Sequence, residues 1–391
     1  MKVLKFAIPA LLIMAIATIG FWQINGKQDG DAFAKEKDNL KTVQPITPNV
    51  KNAKYEVKDG VKTFHLTAEP VKQEVSKGVY MKAWGYNGGT PGPTIVTHKG
   101  DKVRIVVKNN LDVPTSVHWH GLIVPNKMDG VPGVENSPKI KPGDTFTYEF
   151  TVKQVGTFMY HSHVNPAKQE MMGLSGMFIA LPKKGNKIDG VKVDRDYSIM
   201  LNEWSLQGSP SDDGSMKDMD MGGMDMEKGS SSKDGKKDGM SGMDGFEEGK
   251  VPPGTYNVNP EAMMWNVFTF NGKQFPATQP MEVKKGETVL LRLGNISMQN
   301  HPIHLHGHNF KVVAKDGTPL PKAAQYEANT IDVAPGETYD VVFKANNPGT
   351  WIIHCHLPHH TAGMSDTEEG GMLNAFHYDG TPWPPAFQDK K

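Results

Sequence analysis

The chain has 391 residues, with lysine plus arginine and aspartate plus glutamate balanced at 43 each. That length accommodates two or three domains of ordinary size, and the balance excludes both the basic excess of a nucleic-acid binder and an acidic field that would draw in cations. A single cysteine excludes any disulfide within the chain.

Lys2 and Lys5 give a positive start, and Phe6 to Trp22 is an uncharged apolar run of 17 residues, short for a membrane span. Residues 1–34 therefore read as an export signal, with Ala32-Phe33-Ala34 as a small-x-small cleavage site, or as an uncleaved N-terminal membrane anchor. Residues 35–53 read as a linker. Either way the bulk of the chain is expected outside the cytoplasm, secreted or membrane-tethered.

From Gly78 onward, short alternating or β-branched stretches such as Lys102 to Val107 are divided by Gly, Pro and Asn turns, which predicts an all-β protein. The chain also repeats itself. Lys99-Gly100-Asp101-Lys102-Val103 leads to His118-Trp119-His120-Gly121, and Lys285-Gly286-Glu287-Thr288-Val289 leads to His304-Leu305-His306-Gly307, 186 residues later. Gly156-Thr157-Phe158-Met159-Tyr160-His161-Ser162-His163 is echoed by Gly349-Thr350-Trp351-Ile352-Ile353-His354-Cys355-His356. Two copies of one β domain are predicted, over 54–184 and 191–379. The second contains an insertion at about 209–249, built of Met, Asp, Gly, Ser and Lys, that cannot bury a core and is expected to be disordered.

Four His-x-His pairs occur: His118/His120, His161/His163, His304/His306 and His354/His356. Residues two apart on a strand point the same way, so each pair offers two imidazoles on one face. Such a donor set, poor in carboxylate, suits copper, zinc or iron. Cys355 sits between two of these histidines, so alternation turns its sulfur toward the interior of its own domain. His301, His360 and Met364 are near enough in sequence to join it. Two imidazoles, a thiolate and a weak axial thioether make a blue-copper electron-transfer site. Met372 is the alternative axial residue. His359 is read as a second-layer or substrate-edge residue, and His308 as a structural one.

His118-Trp119-His120-Gly121, His161-Ser162-His163, His301-Pro302-Ile303-His304-Leu305-His306 and His354-Cys355-His356-x3-His360 resemble the four copper motifs of the multicopper oxidases, the laccase and cuprous oxidase family. The resemblance covers nearly all of the chain outside the N-terminus and the Met-rich insertion. It implies two cupredoxin-like Greek-key β-sandwich or barrel domains in tandem and four coppers per functional unit, one type 1, one type 2 and two type 3. Carried over by position, it makes His118 and His304 type 2 ligands. His120, His161, His163, His306, His354 and His356 become type 3 ligands, and His301, Cys355 and His360 type 1 ligands. Asp129 matches the acid that relatives place beside the cluster, while Thr361 stands where some carry a glutamate. The implied reaction is one-electron oxidation of a small reductant, a metal ion such as cuprous ion or a phenol, with four-electron reduction of dioxygen to water, in a role in copper tolerance. A homotrimer is expected, because a two-domain chain of this family builds its cluster between subunits. Copper nitrite reductase and a non-catalytic copper store are the competing functions. Ser162 stands where the former needs its cysteine, and the latter needs no trinuclear cluster.

Overall fold

The computed structural model describes residues 43–185, 187–188, 190–208, 251–362 and 369–390. The N-terminal segment, the Met-rich stretch and Met364 lie outside these described residues, as do the expectations placed on them. Among the described residues, no helix is long and apolar enough to cross a membrane.

Each half of the chain is a pair of packed β-sheets, the arrangement of a cupredoxin sandwich. In the first half, a seven-stranded sheet runs in the order Leu206–Gln207, Gly254–Val258, Val79–Tyr86, Val61–Ser76, Lys102–Asn109 and Thr145–Thr151, with Tyr55–Lys58 added on Val61–Ser76. It faces a four-stranded sheet of Gly92–His98, Ser175–Leu181, Gly156–His161 and His118–His120. In the second half, a seven-stranded sheet includes Arg195–Trp204, Thr288–Asn295 and Thr338–Lys344. It faces a five-stranded sheet in the order Met281–Val283, Leu373–Tyr378, Thr350–Cys355, His301–Leu305 and Thr330–Val333.

Alternation explains both cores. Trp119, Phe158, Tyr160 and Phe178 fill the first, with Trp119 edge-on to Tyr148 at 5.3 Å. Leu291, Leu293, Ile303, Leu305, Phe343 and Phe376 fill the second, which also takes in Cys355 and Met372. The strands flanking the Met-rich stretch, Leu206–Gln207 and Gly254–Val258, pair with each other and extend the first half's sheet, where Tyr256 and Val258 join its core.

The two halves meet where strand Gly156–His161 lies against strand Thr288–Asn295. Val96, Ile179 and Leu181 pack on Leu290, Val313 and Val342 at one end of the contact, and Met159 and Met177 on Met200 and Ile296 at the other. The buried side chain of Arg292 sits at this interface. It makes two hydrogen bonds to Asp196, at 2.7 and 2.9 Å, one to Asp340 at 3.2 Å and one to Thr157 of the other half at 2.8 Å. Thr157 in turn donates to Asp340 at 2.5 Å. A buried guanidinium this far from water is tolerated only because each of its three nitrogens has an acceptor.

Candidate metal centre

Strand alternation delivers the buried centre. On His301–Leu305, residues 301, 303 and 305 face the core while His304 faces away, and Ile303 pairs with Cys355 on the neighbouring strand. His360 arrives on the short turn Pro358–Thr361 that follows. His301 Nδ1 lies 3.1 Å from His360 Nδ1, and Cys355 Sγ lies 3.7 and 3.5 Å from those two nitrogens. A cation at about 2.0 Å from nitrogen and 2.3 Å from sulfur separates its ligands by roughly 3.5–3.7 Å at trigonal angles, and two nitrogens by about 3.1 Å at an angle of ~100°, so the three donors fit one small soft ion. Burial, reinforced by His360, holds His301 down to about 3, and burial, reinforced by His359, holds His360 down to about 4, so both are neutral and their lone pairs free. Burial pushes the Cys355 thiol up to about 12, so its proton leaves only as a cation arrives.

Three features of this centre were not read from the sequence. Ser297 Oγ is 2.7 Å from His301 Nε2, which fixes that ring so that Nδ1 faces the sulfur. Phe268 stacks on His360 at 3.9 Å and 14°. The buried Glu203 carboxyl, pushed up to about 7 by burial, has one oxygen 3.7 Å from His301 Nε2 and accepts from the Met298 amide with the other. Ser297 is signalled by its closeness to His301, whereas Glu203 and Phe268 come from other strands. Met372 is fully buried, and its backbone bonds to both Cys355 N and His360 O. His308, 2.6 Å from the Tyr378 hydroxyl, belongs to the core wall.

The eight histidines of the four His-x-His pairs form two sets. In the first, His118 lies 5.8, 5.3 and 5.5 Å from His120, His161 and His163 between ring centres, and His120 Nδ1 faces His161 Nε2 at 3.3 Å. In the second, His304 lies 4.8, 5.6 and 5.6 Å from His306, His354 and His356, and His306 Nε2 faces His354 Nε2 at 3.1 Å. All eight are described, and no ring contact joins one set to the other. Burial lowers His118, His306 and His354, and takes His120 down to about 4, leaving lone pairs for a metal. The outward nitrogens of His118, His304 and His354 are held in place, as metal-binding imidazoles require. His118 Nδ1 meets the Asp129 carbonyl at 2.8 Å and its carboxylate at 3.3 Å. His304 Nδ1 meets Asn329 O at 2.8 Å and Thr330 Oγ1 at 2.9 Å, and His354 Nδ1 meets Cys355 O at 2.8 Å.

The first half has a counterpart of the buried centre without its ligands. Subtracting the 186-residue offset from His301 gives Thr115, and Ser162 occupies the place of Cys355. Both are fully buried and both bond to Gln169 Oε1, at 2.8 and 2.6 Å. A hydroxyl and amide triad fills the space that sulfur and imidazole fill in the second half.

A cupredoxin sandwich with a buried imidazole–thiolate triangle and clustered His-x-His pairs defines a copper oxidoreductase. The family description "Multicopper oxidase" matches residues 67–185 and again 250–366. The chain is 31% identical to the multicopper oxidase mco of Staphylococcus epidermidis, over 84% of this chain and 91% of that protein. The blue copper oxidase from Nitrosomonas europaea superposes with a TM-score of 0.65 at 32% identity, covering 84% of this chain and 90% of that one. Copper resistance protein A of Escherichia coli shares 34% identity over 161 residues, 41% of this chain and 24% of that protein. The chain belongs to the multicopper oxidase family: it is a copper-binding oxidase that uses oxygen and a reducing substrate.

Proposed function

We propose that this protein oxidises a small reductant, cuprous ion foremost, at a type 1 copper held by His301, Cys355 and His360 with Met364 or Met372 as axial thioether, and reduces dioxygen to water at a three-copper cluster. The cluster ligands are His118 and His304 for type 2 copper and His120, His161, His163, His306, His354 and His356 for the type 3 pair. Copper bound at these positions supplies the one-electron chemistry. The chain holds Cys355 one peptide bond from both His354 and His356, so the buried centre and the second histidine set are joined by a few covalent bonds. Ser297 orients His301, and Phe268 and the core keep water from the sulfur. Asp129, 3.3 Å from His118, reaches a type 2 ligand directly and is assigned to proton delivery.

The observation that carries this reading is that each chain presents two separate four-imidazole sets. Eight converging ligands arise when the first set of one subunit meets the second set of the next, a head-to-tail contact that closes as a ring. We assign a homotrimer on that ground. The Met-rich stretch with its soft thioethers, the 34% identity to a protein named for copper resistance, and the apolar N-terminal run favour cuprous ion as reductant, copper tolerance as role and export as destination.

Steady-state oxygen uptake with cuprous ion, ferrous ion, manganous ion and a phenol, run side by side with light scattering and copper analysis, tests this. Expected are a trimer with four coppers per chain and the highest kcat/KM for cuprous ion. A competent monomer would defeat the shared cluster, and a lower kcat/KM for cuprous ion than for the phenol would defeat the substrate.

A further inference from the structure

Glu170 is held in place by the triad that replaces copper ligands in the first half. Besides accepting from Thr115 and Ser162, Gln169 donates through Nε2 to Pro114 O at 2.8 Å, which pins the short helix Pro166–Gln169 against the strands that carry the first histidine set. Glu170 follows directly, its amide bonded to Pro166 O at 3.0 Å and its carbonyl accepting from Gly173 at 2.8 Å. The carboxylate is thereby delivered to His161, with Oε2 2.9 Å from Nδ1. The Ser162 carbonyl is 3.0 Å from the same nitrogen. With its proton on Nδ1, His161 turns the Nε2 lone pair toward His120 Nδ1, 3.3 Å away.

The other close nitrogen pair is supported differently. His306 and His354 approach to 3.1 Å, and His354 Nδ1 meets the neutral carbonyl of Cys355, while the Glu369 carboxylate acts on both rings through its charge. A carboxylate behind an imidazole fixes its tautomer and raises its basicity, whereas a carbonyl fixes the tautomer alone.

We infer that Glu170 is a positioning residue for copper at the oxygen-reducing cluster: acting through His161, it tightens the ion held between His120 and His161 relative to the one held between His306 and His354. The inference rests on the cluster reading given above. It makes the two coppers of the pair inequivalent, although the chain supplies imidazole to both.

The test exposes copper-loaded wild type, Glu170→Gln and Glu170→Leu to graded concentrations of a cupric chelator. Copper per chain, the near-ultraviolet absorption of a coupled cupric pair, and the blue band are followed, with the blue band as internal control. Loss of a partner of this kind weakens metal binding roughly ten- to a hundredfold. Glu170→Leu should therefore lose copper and the near-ultraviolet band at about ten- to a hundredfold lower chelator, with its blue band unmoved. Glu170→Gln, which still accepts a hydrogen bond, should fall between it and the wild type. Metal-free variants should melt close to the wild type, because the carboxylate is 23% exposed and the Ser162 carbonyl, 3.0 Å from His161 Nδ1, still accepts from that ring. Release from both variants at the wild-type concentration would overturn the inference, and if Glu170→Leu does not fold, Glu170→Gln decides alone. A wild type that lacks the near-ultraviolet band would instead sink the cluster reading, and this inference with it.

Discussion

Arg292→Met tests what holds the two halves of the chain together. The guanidinium is wholly buried between Asp196 and Asp340, and it also reaches Thr157 across the interface. Methionine fills much of the same volume but strands two buried carboxylates. Breaking a buried ion pair on one side costs about 3–5 kcal/mol, which at roughly 2–4 °C per kcal/mol lowers the melting temperature by on the order of 10 °C. The pH dependence has a definite sign. Burial pushes both aspartates up against the pull of Arg292, so removing Arg292 raises them further. A carboxyl whose folded value exceeds its unfolded value near ~3.9 subtracts stability as pH rises through that window and subtracts none below it. The deficit against wild type should thus be small near pH ~4 and widen toward neutrality. Replacing Asp196 and Asp340 by leucine in the same background should recover most of the loss, since apolar groups of similar volume need no partner. Urea unfolding of the metal-free protein at several pH values is the assay. A deficit under about 1 kcal/mol, or one that shrinks as pH rises, would refute the reasoning.

Cys355→Ser should abolish the blue band and lower oxidase activity by at least about a thousandfold, while copper at the histidine sets remains; a surviving blue band in its absorption spectrum would remove the type 1 assignment. In chelator competition, affinity of the buried centre for cupric ion should rise about tenfold per pH unit above pH ~5, because only the thiol, at about 12, must lose a proton. Below pH ~4 the slope should steepen as His360, at about 4, and His301, at about 3, become protonated, and a flat profile would contradict this. Deleting residues 209–249 should weaken cuprous oxidation several-fold with the blue band kept and phenol oxidation equal or higher. Unchanged cuprous kinetics would reopen the choice of reductant.

The parts legible in the sequence are those governed by local periodicity. Alternation alone put Cys355 in the core and its neighbours outside it, and the 186-residue repeat announced the paired sandwiches. What stayed hidden depends on contacts between distant elements. Glu170 lies on an irregular turn whose direction is set by Gln169, and Glu203 reaches His301 from a different sheet. Arg292 was half-visible, as a lone charge in the apolar run Thr288-Val289-Leu290-Leu291-Arg292-Leu293, but nothing local names Asp196 or Asp340 as its partners. The strand Gly254–Val258 is too short to show that it would leave the second half and pair with Val79–Tyr86.

That last pairing bears on how such a protein changes over generations. Leu206 stands opposite Val258 and Gln207 opposite Asn257, so the chain leaves and rejoins the first half's sheet at adjacent positions, as a hairpin does. When the ends of a segment are fixed side by side, doubling its length costs only about 0.6 kcal/mol of closure entropy. Between these two strands, methionines can be gained or lost by insertion and deletion almost without effect on the sandwiches or the copper ligands. The length of that stretch can therefore vary while the two sandwiches and the copper ligands stay the same.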